Sequence, residues 1–387
     1  MRSSITALTV LHLWTVVVGN AWGVVQYTIT PLNAPANTYS YPRGLNDTGT
    51  VVGRYDATPG SNEVGIWQSG ALTNLGTLGR THAWATRINT SGQVIGTAQQ
   101  QNGNYYYNEA FTLQNGPPTF LGILGTTGKS GEGSNASDIN SDAQIIGTSS
   151  TGTLDVNGNP VRHGFLWENG TMTDIGVPSG QYVHVSVTAI NAGGTVVGYA
   201  SHPGSPVESE FTAFTWNKNV GFQLLPNVLG TGRLFPLDIN DSGRIVGTYE
   251  TTPFGSPGSQ TKPFYYDGTV MTDLPVPPGF ETRAVYASQI NNRGQIVGYA
   301  AGGTPITWEN GTCYNINDLV PSGSGPFDAS SGISINDVGQ IVVTKSLPSG
   351  VSGFLLTPVP EPSTFVLLGM GAVGLLGFAW RRWRAST

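Results

Sequence analysis

Cysteine is almost missing from this chain: Cys313 is the single one among 387 residues. That excludes an intrachain disulfide and any cysteine-cluster metal site. Cys313 follows Asn310-Gly311-Thr312 in an expected strand, where a thiol serves as a small apolar filler. Charge is scarce too, at 10% of residues, with a net −6 and no basic stripe. Phosphate contacts supply much of the affinity for nucleic acid, so no nucleic-acid partner is expected. Histidine is limited to His12, His82, His163, His184 and His202, no two of them at ligand spacing on one element. No Gly-x-Ser-x-Gly nucleophile elbow occurs. The sequence therefore offers no catalytic residue, no metal ligands and no cofactor site, and a non-enzymatic protein is expected.

Glycine (54) and proline (25) are plentiful. Both punctuate turns and are poor in helix interiors, which favours many short strands. Nine Trp, 14 Phe and 15 Tyr recur beside β-branched residues and supply enough apolar surface for a core.

The ends differ from the middle. Residues 1–23 carry Arg2, an apolar stretch Ile5–Val18 and a small residue at Ala21 or Gly23, the layout of a secretory signal peptide with its apolar helix. At the other end, Pro358-Val359-Pro360-Glu361-Pro362 precedes an uncharged run Phe365–Trp380 and then Arg381-Arg382-Trp383-Arg384. The prolines keep the approach extended. As a helix, residues 365–380 would reach about 24 Å, short of a ~30 Å hydrocarbon core. Snorkelling arginines and Trp380 and Trp383 can make up the difference and place a transmembrane helix with its arginines inside.

Val359, Pro360, Glu361 and Pro362, the Gly-rich apolar run, and Arg381, Arg382 and Arg384 together resemble the PEP-CTERM sorting signal. The resemblance implies recognition by an exosortase-type processing enzyme, export to the cell envelope or beyond, and company with exopolysaccharide. It also implies membrane contact through the C-terminal helix before processing, and none once the tail is removed. The expected organisation is a signal peptide (1–23), a repeat domain (24–358) and a sorting tail (359–387).

Internal repeats decide the fold. The element aliphatic-Asn-x-x-Gly-x-aliphatic-aliphatic-Gly recurs at Asn46, Asn89, Asn140, Asn191, Asn240, Asn291 and Asn336, 43 to 51 residues apart. Ala143 replaces glycine in the third copy, Gly193-Gly194 reads as one extra residue in the fourth, and the seventh ends on Val343. The element predicts a tight hairpin, with Asn opening the turn and Gly closing it. An aromatic strand follows, such as Phe214-Thr215-Trp216, and then a fourth, such as Met271-Thr272-Asp273-Leu274. Four strands per ~50 residues, repeated seven times, give an all-β, seven-bladed β-propeller of four-stranded blades. The last repeat lacks a fourth strand, and Tyr27-Thr28-Ile29-Thr30 reads as that strand displaced to the N-terminus. Pairing the two removes two exposed edges. It also puts the Ile-Asn strands on the central channel. An open β-solenoid is the alternative.

The segment His163-Gly164-Phe165-Leu166-Trp167-Glu168-Asn169-Gly170, with His82-Ala83-Trp84 and Leu75-Gly76-Thr77-Leu78-Gly79, resembles the HAF repeat of extracellular bacterial proteins. That family implies surface export and a β repeat, and brings no activity.

Asp47, Asp241 and Asp337 sit in the hairpin turns and are expected to stabilise them. The oxygen-rich stretches from Asp138, Asp155 and Asp238 superficially resemble calcium loops. The first and last hold Ser149 and Tyr249 where a loop glutamate belongs, so the turn reading is preferred. Variable loops are expected at 98–109, 148–162, 200–212 and 249–262, and loops carry function. The first holds Tyr105, Tyr106 and Tyr107, which can stack on sugar rings or form an ordinary edge strand. The expected role is binding of polysaccharide or protein at the cell surface. A structural matrix protein and a polysaccharide hydrolase or lyase, the last needing paired carboxylates, are the alternatives.

Overall fold

A computed structural model describes residues 25–359 apart from 36–37, 104, 181, 202–210, 227–232, 253–257, 330–331 and 348–349. The expected signal peptide (1–23) and the tail helix (365–380), with Pro360 to Pro362 and the terminal arginines, lie outside the described residues. Among the described residues no helix is long and apolar enough to cross a membrane.

Seven four-stranded antiparallel sheets follow one another along the chain. Blade 5 is representative, running Leu234–Ile239, Ile245–Glu250, Thr261–Tyr266 and Met271–Asp273 from the channel outward. Blades 1 to 6 begin at Tyr39, His82, Ser134, His184, Leu234 and Val285. Blade 7 combines Ser334–Ile335, Ile341–Leu347 and Gly350–Pro358 with Tyr27–Pro31 as its outermost strand. Tyr27 pairs with Pro358 and Pro31 with Phe354, so the displaced strand does close the ring. The open solenoid is thereby excluded.

Core residues come from the middle strands. Phe111, Phe165, Phe214 and Phe264, each on a third strand, are fully buried, as are Trp67 and Trp308. Each such side chain removes enough apolar area to contribute roughly 1.5–3 kcal/mol. Clusters cross from blade to blade: Ile146 and Leu166 of blade 3 pack with Val187 and Phe214 of blade 4. The same holds across the closure, where Val51 and Trp67 pack with Val342 and Leu355.

The glycine ending the repeat element has its own cause. In blades 1 to 6 the innermost strand bulges by one residue, at Arg43, Thr86, Ser137, Thr188, Leu237 and Ser288. The residue before each bulge pairs with Gly53, Gly96, Gly147, Gly198, Gly247 or Gly298. A Cβ there would come within 1.8–2.2 Å of an inner-strand carbonyl oxygen, which no side chain tolerates. Blade 7 has only a two-residue inner strand with no bulge, and there Val343 takes the place of glycine. The fourth turn contains no extra residue: Gly194 donates to the Asn191 carbonyl as Gly243 does to Asn240. Ala143 holds the same left-handed position (φ +61°) without glycine's freedom.

Candidate functional site

The hairpin turns gather on one face, around a pore of about 210 Å³ lined by Leu45-Asn46 and six Ile-Asn pairs. Each of the seven asparagines does two jobs. Its Oδ1 accepts the backbone N–H four residues on, at 2.8–3.0 Å, which is the expected turn role. Its Nδ2 donates to the backbone carbonyl of the corresponding asparagine one blade further, at 2.9–3.3 Å. The seven bonds form an unbroken circle of buried polar groups, which pairing makes affordable. Turn chemistry alone is served equally by Asp or Ser, so the invariance of Asn across all seven copies was the available signal.

Asp47, Asp241 and Asp337, expected to stabilise their own turns, bond instead to neighbouring turns of other blades. Asp241 Oδ1 accepts from the Ala192 N–H, Asp337 Oδ1 from Asn292 and Asp47 Oδ1 from Asp337, at 2.7–2.8 Å. Asn292 Nδ2 donates to both Asp241 and Asp337.

Deeper in the channel, residues just past the bulge reach the next blade. Asp138 accepts the Ile190 N–H at 2.9 Å, Asp238 that of Ile290 at 2.8 Å, and Gln289 that of Ile335 at 3.1 Å. These carboxylates therefore serve backbone amides of another blade. Burial, reinforced by the charge of Asp138, pushes the Asp238 carboxyl up to about 7. Burial also raises Asp138, against the pull of Arg87, whose Nε lies 3.7 Å from it.

The opposite face carries the hairpins between second and third strands. Residues 98–109 are not a loop there. Val94–Asn102 and Tyr105–Leu113 pair throughout, with Gln100 and Gln101 opposite Tyr107 and Tyr106, and aromatic residues suit such a pleated ribbon. The tyrosine stretch is an edge on its outer side, since the fourth strand pairs only with Ala110–Thr112. Tyr105 and Tyr106 are 56% and 47% exposed, while Tyr107 donates its hydroxyl to Gln100 at 2.9 Å. The three tyrosines form one wall of a cleft of about 370 Å³; Ile123, Thr126, Lys129 and Glu132 contribute to the other.

Buried Glu132 fixes that second wall. Its carboxylate accepts from the Thr126 hydroxyl, from the Thr127 N–H (2.5 Å) and hydroxyl (2.6 Å), and from the Gly128 N–H (3.0 Å). Burial opposes ionisation, but these bonds outweigh it and hold the carboxyl at about 2.

The histidines stay apart. His82 approaches the Ser61 carbonyl, His163 pairs with Asp174 at 2.9 Å, and His184 lies 3.6 Å from Asp155. His12 and His202 fall outside the described residues. The 155–159 turn closes on itself through amides of Asn157 and Asn159 donating to Asp155. Of the other expected loops, 148–162 is largely the hairpin Ile145–Leu154 and Pro160–Glu168. Loops 200–212 and 249–262 fall partly outside the described residues. Burial pushes the Cys313 thiol up to about 12, which suits an inert filler. Among the described residues no three His, Cys, Asp or Glu groups assemble as a metal site.

Residues 358–384 match the PEP-CTERM protein-sorting motif. The chain carries an exosortase sorting signal. That motif is a substrate signal for exosortase processing, and it makes this propeller an exported protein of the cell envelope. Residues 188–311, from the inner strand of blade 4 into blade 6, match a family described as "Protein of unknown function (DUF3466)". Nothing in these matches supports the HAF-type likeness. No curated protein matches the PEP-CTERM chain.

Among solved structures, the β-propeller domain of the Trilobed protease from Pyrococcus furiosus is similar at 13% identity and TM-score 0.51, over 84% of this chain and 94% of that one. An oligogalacturonate lyase in complex with manganese is similar at 13% identity and TM-score 0.51, over 87% and 96%. An acylaminoacyl peptidase from Pyrococcus horikoshii is similar at 14% identity and TM-score 0.50, over 84% and 52%. At such identities the likeness concerns the fold alone.

Proposed function

We propose that this exported propeller is a non-enzymatic polysaccharide-binding protein of the cell surface or matrix, working through the tyrosine-walled cleft of blade 2. The observation that carries the reading is the exposure of Tyr105 and Tyr106 on a rigid, fully paired ribbon facing an ordered loop. Tyrosine offers an apolar ring face and a polar tip at low entropic cost, which suits the stacking of sugar rings. Glu132 holds the facing wall in place before any ligand arrives, so little ordering cost falls on binding.

Glycan-array binding by the propeller tests this. Binding is expected, with at least a tenfold loss in a Tyr105→Ala/Tyr106→Ala double variant whose melting temperature is unchanged. Binding of envelope proteins with no glycan bound would move the role to protein recognition, and binding of neither would leave a structural matrix protein.

A depolymerising enzyme is the second reading, favoured by Asp138 and Asp238, two coupled carboxyls within one channel. Each already accepts a backbone N–H, which weighs against a free acid–base pair. Release of reducing or unsaturated ends from a polysaccharide, abolished by Asp238→Asn, would establish it.

A further inference from the structure

The tyrosine cleft contains Lys129, the well-satisfied Glu132 and Glu109, which is paired with Arg80, and so offers no site that selects acidic glycans. A second recess on the same face does. Blades 1 and 2 enclose about 470 Å³ lined by Arg43, Arg54, Asn62, His82, Trp84 and Gln99. Arg43 also lines a neighbouring recess of about 270 Å³, nearer the channel, together with Arg87, Gln289 and Tyr299.

Arg43 thus stands between Arg54, in the first recess, and Arg87, in the second, and feels the charge of both. Arg54 rests over the Tyr41 ring at 3.9 Å, and its Nε is 3.3 Å from Asp56. That Nε is buried and makes no hydrogen bond. Arg87 donates to the Arg43 backbone carbonyl at 3.3 Å and faces Asp138. Arg43 is the bulged residue of its strand, is exposed, and has no ion pair among the described residues. Its aliphatic stem passes Gly332 of the last blade, 4.0 Å from where a Cβ would stand. Desolvation of its guanidinium, and secondarily the charges of Arg54 and Arg87, lower its pKa, although guanidinium stays protonated at any physiological pH. Arg54 faces Asp56, and Arg87 faces Asp138 with Asp238 also within its reach. Arg43 alone of the three therefore has no carboxylate partner among the described residues, beside a half-buried Trp84 on the same wall.

We propose that Arg43, with Arg54 and Arg87, forms an anion subsite that takes a carboxylate of an acidic polysaccharide, with Trp84 stacking on the sugar that carries it. A guanidinium fork matches a planar carboxylate in two hydrogen bonds, and an indole face covers a sugar ring. This rests on the glycan-binding reading and narrows its ligand to polyuronates.

The test compares alginate, dextran sulfate and dextran by titration calorimetry with the full chain. Controls are Arg43→Gln, Arg43→Lys, Trp84→Ala, and Arg293→Gln, which removes an exposed charge from the opposite face. Alginate is expected to bind more tightly than dextran. Arg43→Gln should weaken it at least tenfold and Trp84→Ala several-fold, Arg43→Lys should keep part of it, and Arg293→Gln should change nothing. Alginate binding that Arg43→Gln and Arg293→Gln reduce equally would overturn the subsite in favour of diffuse attraction. Tighter binding of dextran sulfate, tracking its charge density, would overturn the choice of carboxylate. Dextran bound as well as alginate, through Tyr105 and Tyr106, would leave the glycan reading standing without this subsite. No glycan bound at all would sink both.

Discussion

Asn336 donates its Nδ2 to the backbone carbonyl of Asn46 at 2.9 Å, across 290 residues of sequence. This bond completes the asparagine circle at the joint where the Tyr27–Pro31 strand also closes the last blade. Two independent devices, one polar at the channel and one β-sheet at the rim, hold the same seam shut.

Asn336→Asp separates the ring from the turn. Aspartate keeps the acceptor for the Gln340 N–H but removes the donor to Asn46. If the turn were everything, the change would be neutral. The ring predicts a loss of roughly 1–3 kcal/mol in denaturant unfolding, since a buried carbonyl loses a partner. Asn336→Ala should cost more.

Ala143→Gly should stabilise the protein. Ala143 sits at φ +61°, where the other six turns have glycine. Relief of that strain, less glycine's greater unfolded entropy, gives about 0.5–1 kcal/mol. A melting temperature that falls instead would mean that the alanine methyl is needed for packing.

Gly298→Ala should be severe, although Val343 holds a β-branched side chain at the equivalent place in blade 7. A Cβ on Gly298 would stand 1.8 Å from the Tyr286 carbonyl oxygen, whereas blade 7 has no bulge facing Val343. The expected cost for Gly298→Ala is about 3 kcal/mol or more, in line with strong overpacking. A cost below about 1 kcal/mol for Gly298→Ala would refute the coupling of glycine to bulge.

The Asp238 contribution to stability should decline as pH rises from about 4 to about 7 and level off above that. The Asp238 carboxyl titrates near 7 in the fold, against about 3.9 unfolded, so the folded state binds the extra proton between those values. Its contribution is complete below about pH 4 and is lost as pH passes 7. Glu132, held at about 2, contributes fully above about pH 4.5 and adds no slope there. Asp238→Asn should flatten the melting-temperature profile from pH 5 to 8 and gain roughly 1–2 kcal/mol at pH 8. Parallel profiles for the two proteins would contradict this.

The sequence by itself determined the blade count, the strand order within a blade and the closing strand. Those follow from local pattern: seven Asn-turn hairpins, aromatic third strands, and one missing strand matched by one spare. It also marked the sorting tail, whose proline motif, apolar run and arginines are contiguous. Tertiary structure alone decided what the repeated side chains do for one another. The asparagine circle, the carboxylates that catch the next blade's amides and the glycines beneath the bulges are contacts between residues about 50 positions apart, each pair set by ring geometry. Arg43, Arg54 and Arg87 share no motif. They become neighbours only because a bulge, a second strand and a neighbouring blade set Arg43 between two adjoining recesses, one lined by Arg54 and the other by Arg87.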